Sequence, residues 1–131
     1  MSVLTGYVPT PVGEAALEVA IAEAKLREVS LIVLNSARGD GGADDNFADD
    51  ATAARLRARL HESGVSYQLL RSVSSREPAQ ELIAMATDID AHLIVIGLRR
   101  RTPVGKLLMG STAQRILLDA ECPVLAVKPP R

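Results

Sequence analysis

Two apolar runs, Val29–Leu34 and Ala91–Ile96, constrain the fold of this chain more than any other feature. Both are rich in branched aliphatic residues and lack the polar–apolar alternation of a strand with one wet face. Such runs are what a strand covered on both sides requires, and parallel sheets are built from them. Each is far shorter than the roughly 20 residues of a bilayer-spanning helix. Both faces of the resulting sheet then need covering, and the remaining segments supply the covers.

The segments between the runs read as helices. Thr10-Pro11 is a helix start, with Thr as N-cap and Pro at the first helical position. Leu17, Ile21 and Ala24 follow at helical spacing, which predicts a helix to about Arg27. A second helix is expected over Phe47–Glu62, with Leu56 and Leu60 inward and Gly64 as its stop. Pro78 opens a third, with Ala79, Leu82, Ile83 and Ala86 on its apolar side, and Ser111–Asp119 is a fourth. Val3–Tyr7, Ser66–Leu70 and Pro123–Val127 complete the set of strands, and residues 37–50 form a loop. The order β-α-β-α-β-α-β-loop-α-β predicts a doubly wound, five-stranded parallel sheet with helices on both faces, a Rossmann-like architecture. No linker or internal repeat interrupts it, so one domain over residues 1–131 is expected.

Composition then excludes several function classes. Fifteen basic and 16 acidic residues leave a formal charge of −1, unlike a whole-surface nucleic-acid binder or a polybasic membrane protein. Aromatic residues are 2% of the chain (Tyr7, Phe47, Tyr67), too few for base-stacking platforms. No basic segment followed by an apolar one marks a signal peptide, so a cytoplasmic location is expected, with no membrane and no nucleic acid as partner. Cys122 is the one cysteine, which excludes an internal disulfide and reads as a buried structural thiol. The aspartates Asp40, Asp44, Asp45, Asp49 and Asp50 lack the ordered ligand spacing and terminal Glu of an EF-hand, so no metal site is assigned to them.

The near-neutral total hides an asymmetry. Residues 1–96 carry 8 basic and 14 acidic groups, whereas residues 97–131 carry 7 basic and 2 acidic groups, nets of −6 and +5. An anionic partner therefore belongs near the C-terminal third. In doubly wound sheets ligands bind beyond the carboxyl ends of the strands, where strand order reverses. That rule selects the segments around Gly6 and Val8, around Ser36, and after Ile96. The last is the richest: Gly97, Arg99, Arg100, Arg101 and Lys106 lead to a helix start at Gly110-Ser111-Thr112. A helix N-terminus presents unpaired N–H groups and the positive end of the macrodipole to a phosphate. Ser111-x-x-Gln114 also reads as a capping box, in which the serine serves its own helix. The usual nucleotide fingerprints are missing: Lys106 is followed by Leu107 rather than Ser or Thr, and no G-x-G-x-x-G follows the first strand.

The run "AHLIVIGLRRRTPVGKLLMGSTAQRILLDAECPVLAVKPP", with "EPAQELIAMATDIDAHLIVIG" before it, resembles the universal stress protein family, and the resemblance extends over essentially the whole chain. It implies a small stress-response protein that binds an adenine nucleotide, ATP first; magnesium is expected only from the chemistry of the phosphates. The family's ATP-binding motif is Gly, two residues, Gly, nine residues, Gly, then Ser or Thr. Here it falls on Gly97, Arg100, Gly110 and Ser111, so the middle glycine is an arginine. The acidic residue the resemblance implies after the first strand falls at Val8. Arg100 either obstructs the phosphates or clamps them with its guanidinium. The candidate ligand-binding set is Gly6, Val8, Ser36, Ile96, Gly97, Arg99, Arg100, Gly110, Ser111 and Thr112.

Catalysis has no candidate. His61 and His92 lie outside the three loops, Ser74 and Ser75 read as turn and cap residues, and no nucleophile elbow is present. A binding protein is expected, with at most a slow, incidental ATPase. The competing class is a nucleotide-free dimeric interaction module, its site made vestigial by Arg100; a basic loop contacting RNA or DNA is the weaker third. If Val124–Val127 lies at the sheet edge, its unpaired backbone groups need a partner: the resemblance implies the same strand of a second copy, giving a homodimer, while Lys128-Pro129-Pro130 could instead protect the edge of a monomer.

Overall fold

The computed structural model describes residues 1–38, 48–101, 106–107 and 110–129, with backbone alone at 37–38, 100–101 and 106–107. Its elements are β1 (Ser2–Gly6), α1 (Pro11–Arg27), β2 (Ser30–Arg38), α2 (Asp50–Ser63), β3 (Tyr67–Ser74), α3 (Pro78–Asp88), β4 (Leu93–Gly97), β5 (Arg100–Arg101), β6 (Lys106–Leu107), α4 (Ser111–Asp119) and β7 (Val124–Val127). Five strands form one parallel sheet in the order β3-β2-β1-β4-β7. The chain winds outward from β1 to β3, then crosses to β4 on β1's other side. Strand order therefore reverses between β1 and β4, and β7 lies at one edge.

Alternation along the central strands divides the core in two. Val3, Leu31, Val33, Leu93 and Val95 face α1 and α2 and pack on Leu17, Ala20, Leu56 and Leu60. Leu4, Ile32, Leu34, Ile94 and Ile96 face α3 and α4 and pack on Leu82, Ala86 and Ile116. Both faces are dry, as the solid apolar runs demand. Thr5 is buried in the central strand and its hydroxyl donates to the Val95 carbonyl at 2.8 Å. That bond meets the rule that a buried polar group finds a partner.

Local chemistry sets the helix ends. Thr10 caps α1, its Oγ1 accepting the Gly13 N–H at 3.2 Å, and Pro11 is the first helical residue, as its sequence predicts. Gly64 ends α2 with φ 81°, the left-handed conformation in which glycine carries no Cβ penalty.

Several boundaries differ from expectation. α2 starts at Asp50, not at Phe47, because the Asp49 side chain accepts the Thr52 N–H at 2.8 Å and sets the cap there. That bond also lowers the Asp49 carboxyl below its ordinary range. β2 runs on to Arg38 and β3 to Ser74, because parallel pairing from Leu31↔Tyr67 to Arg38↔Ser74 satisfies backbone groups beyond the apolar runs. The expected loop over residues 37–50 therefore gives up 37 and 38 to β2, and Gly39, Asp40, Gly41, Gly42, Asp44 and Asp45 lie outside the described residues. β1 is Ser2–Gly6 rather than Val3–Tyr7. The basic segment after Gly97, read as a loop, contains a short antiparallel pair between β5 and β6.

Candidate functional site

Beyond the C-terminal ends of β1, β2 and β4 lies a cavity of about 330 Å³. Six elements wall it: the ends of those three strands and the first turns of α1, α3 and α4. This is where the reversal of strand order leaves room between neighbouring connections.

The cavity has two chemical parts. Val8, Val12, Leu34, Leu82, Ile96 and Ile116 make an apolar chamber suited to a flat, weakly polar body. Arg99, Ser111 and Thr112, with the α4 N-terminus, belong to the polar share of the lining. The first bond inside α4 runs from the Gln114 N–H to the Gly110 carbonyl at 3.0 Å. It leaves the N–H groups of Ser111, Thr112 and Ala113 without a partner in their own helix, beside residues that line the cavity. Among the described lining residues Arg99 is the charged one. The arrangement has the chemistry that suits an anion attached to an apolar group.

Gly110 is itself the N-cap of α4, with φ −69° and ψ 166°, and among the described residues no side chain caps that helix. This corrects the capping-box reading of Ser111. The serine is the first helical residue, one position too late to cap, and its exposed side chain is left to the cavity.

The two glycines of the motif have different physical reasons. A Cβ at Gly97 would lie 2.5 Å from Val12 Cγ1 and 2.6 Å from the Val12 carbonyl oxygen, so Gly97 lets α1 settle onto the end of β4. At Gly110 no described atom lies within 4 Å of that position, so the fold itself asks for no glycine there.

The β1–α1 connection is held tightly against the cavity. The Tyr7 N–H donates to the Leu34 carbonyl and the Thr10 N–H to the Val8 carbonyl, each at 2.8 Å. A Cβ at Gly13 would stand 1.8 Å from the Val8 carbonyl oxygen, so only glycine admits this approach. The Tyr7 ring passes beneath α1, 3% exposed, and its hydroxyl donates to Glu14, whose other oxygen pairs with Arg59. Burial first, then the Glu14 carboxylate, pushes the Tyr7 hydroxyl well above the ordinary phenol range.

Of the ten candidate residues, Gly6, Val8, Ser36, Ile96, Gly97, Arg99, Gly110, Ser111 and Thr112 line this one cavity. The side chain of Arg100 lies outside the described residues, and so does its effect on phosphate. Sequence reasoning missed Val12 and Gly13, which the Thr10-Pro11 helix start already placed one turn from Val8. It also missed Pro78, Leu82 and Ile116, whose inward aim only the packing of α3 and α4 decides. His61 and His92 are exposed and outside the lining. Ser74 is the last residue of β3 rather than a turn residue, its Oγ accepting the Arg76 N–H at 3.1 Å, and the N-cap of α3 is Glu77 rather than Ser74 or Ser75. Cys122 is half-buried rather than buried, and burial raises its thiol above the ordinary value. Among the described residues no helix is long and apolar enough to cross a membrane.

The fold and this cavity define a doubly wound α/β domain with a pocket at its switch point. The model of the universal stress protein family matches residues 1–128. A universal stress protein of Mycolicibacterium smegmatis is 44% identical over 127 residues, 97% of each chain. A universal stress protein structure from Archaeoglobus fulgidus superposes with TM-score 0.84 at 30% identity, covering 98% of both chains. Another from that organism, in complex with dAMP, matches with TM-score 0.72 at 25% identity over 98% of both. The chain belongs to the universal stress protein family.

Proposed function

We propose that this protein binds an adenine nucleotide, ATP first, in the cavity at the switch point and acts as a nucleotide-responsive regulatory dimer in the cytoplasm rather than as an enzyme. The observation that carries the reading is the pairing of an apolar chamber with the uncapped N-terminus of α4 in one cavity. The base occupies the chamber of Val8, Leu34, Ile96 and Ile116. Phosphate oxygens accept from the backbone N–H groups after Gly110 and from the Ser111 and Thr112 hydroxyls, with Arg99 supplying charge. The described lining contains no carboxylate, so magnesium comes held by the triphosphate's own oxygens. The Archaeoglobus fulgidus relative with dAMP supports the ligand class.

The lining offers this ligand recognition without a general base, because no described histidine or carboxylate faces the phosphate end. Dimerisation is read from β7, an edge strand with unpaired backbone groups and Leu125 exposed by 37%. Light scattering on the eluting protein tests it, and a clean monomer at high concentration overturns it.

Mass spectrometry of small molecules released from freshly purified protein, followed by calorimetric titration with ATP and magnesium, tests the ligand. An adenine nucleotide is expected, with affinity reduced at least tenfold in Ser111→Ala combined with Arg99→Ala. No co-purifying nucleotide and no binding heat at millimolar ATP would favour the nucleotide-free interaction module, with Arg100 and Val8 as the closing residues.

A further inference from the structure

Asn35 is fully buried, yet it carries an amide directly after the aliphatic run Leu31–Leu34 of β2. It sits between Leu34 and Ser36, both of which line the cavity. The strand's alternation turns its side chain the other way, toward α1 and α2. There its Nδ2 donates to the Tyr7 carbonyl at 2.8 Å, and its Oδ1 accepts the Ala48 N–H at 2.8 Å. One amide thus joins the β1–α1 connection, a wall of the cavity, to the residues that open α2. Arg71, paired with Asn35 across β2 and β3, reinforces the second attachment. Its Nη1 donates to the Ala48 carbonyl at 3.2 Å and to Asp50 Oδ1 at 2.9 Å.

Both ends of this bridge are buried backbone groups, and a buried donor or acceptor left unmade is costly. Moving the Tyr7 carbonyl therefore strains the bond to Ala48 through the same side chain, and the reverse. Residues 48–52 themselves do not line the cavity. A ligand that touches Gly6, Tyr7 and Val8 acts on them at second hand, and Asn35 offers a path of two hydrogen bonds. An aliphatic side chain would fill this site without making the link.

We infer that Asn35 couples occupancy of the cavity to the start of α2, making residues 48–52 the surface that reports whether nucleotide is bound. The inference rests on the nucleotide reading and names the regulation of that same site. Ligand holds the Tyr7–Val8 backbone in place; the amide transmits that restraint to Ala48, and the Asp49 cap and Asp50–Arg71 pair form on the segment so held. The coupling is reciprocal, so whatever restrains residues 48–52 also tightens the ligand.

Amide hydrogen exchange on the full chain, with and without saturating ATP and magnesium, tests this. In the wild type, exchange over residues 48–54 is expected to slow at least fivefold with ATP, alongside residues 111–114 at the site itself. In Asn35→Ala the protection at 111–114 remains and that at 48–54 is lost. Wild-type protein that binds ATP with no change at 48–54 overturns the inference, whether or not the variant folds. Protection at 48–54 that persists in Asn35→Ala overturns it as well. No ATP binding to wild type at all fells the nucleotide reading first, and this inference with it.

Discussion

Two helix starts face the same cavity and are built in opposite ways. α1 is closed on itself: Thr10 caps it, Pro11 has no N–H to satisfy, and Gly13 is pressed against the Val8 carbonyl. α4 is open: its N-cap is a glycine, no described side chain caps it, and the space beside that glycine is empty of described atoms. A helix end that uses its own polar groups serves the fold. One that leaves them unused, beside an arginine and two hydroxyls, is available to a ligand. The difference teaches that a glycine and a helix N-terminus near a site are not by themselves evidence of binding. What matters is whether the fold already accounts for them.

Substitution at the two starts should separate stability from binding. Gly13→Ala is expected to have the largest effect, about 3 kcal/mol of lost stability in urea unfolding, because backbone must move to admit the methyl group. Gly97→Ala should cost less, about 1–2 kcal/mol, since the Val12 side chain can yield part of the space. If either variant unfolded like wild type, the packing account of α1 would fail.

Gly110→Asp should act in the other direction. The carboxylate caps α4 and complements its dipole, so stability holds or rises by about 0.5 kcal/mol, while ATP affinity falls more than tenfold in calorimetry. A loss of stability with unchanged affinity would erase the contrast between the helices. Thr10→Ala should remove about 1 kcal/mol by stripping the cap from α1, with Thr10→Ser retaining most of it.

The smallest effect belongs to Tyr7, in the wall beside α1. Its hydroxyl is raised in the folded state, so below its ordinary value of 10.0 both states are protonated and its contribution to stability is complete. As pH rises past that value the unfolded chain loses its proton first, and stability declines. Tyr7→Phe should therefore show a shallower fall in urea midpoint between pH 9 and pH 11 than wild type. Parallel curves would mean that burial and Glu14 do not hold the proton.

Much of this was legible in the sequence for a local reason. The solid runs at Val29–Leu34 and Ala91–Ile96, the Thr10-Pro11 start and the Gly64 stop are set by neighbours within a few residues. The candidate site was legible where it followed strand ends, which is how Gly6, Val8, Ser36 and Gly97 came into one cavity. What misled was also local. Ser111 satisfied a capping pattern that the backbone placed one residue earlier, at Gly110, and the helix expected from Phe47 starts only after the Asp49 cap.

By itself, then, the sequence determined the order of elements, the two-faced burial of the sheet and the end of it at which the cavity lies. Those follow from periodicity, caps and charge, which act over one or two turns of chain. Only the tertiary structure decided that Gly97 is a packing residue, that Gly110 is free of one, that Leu82 and Ile116 complete the chamber, and that Asn35 links Tyr7 to Ala48. Each depends on atoms brought together from distant parts of the chain, and no local pattern records how closely two backbones will approach.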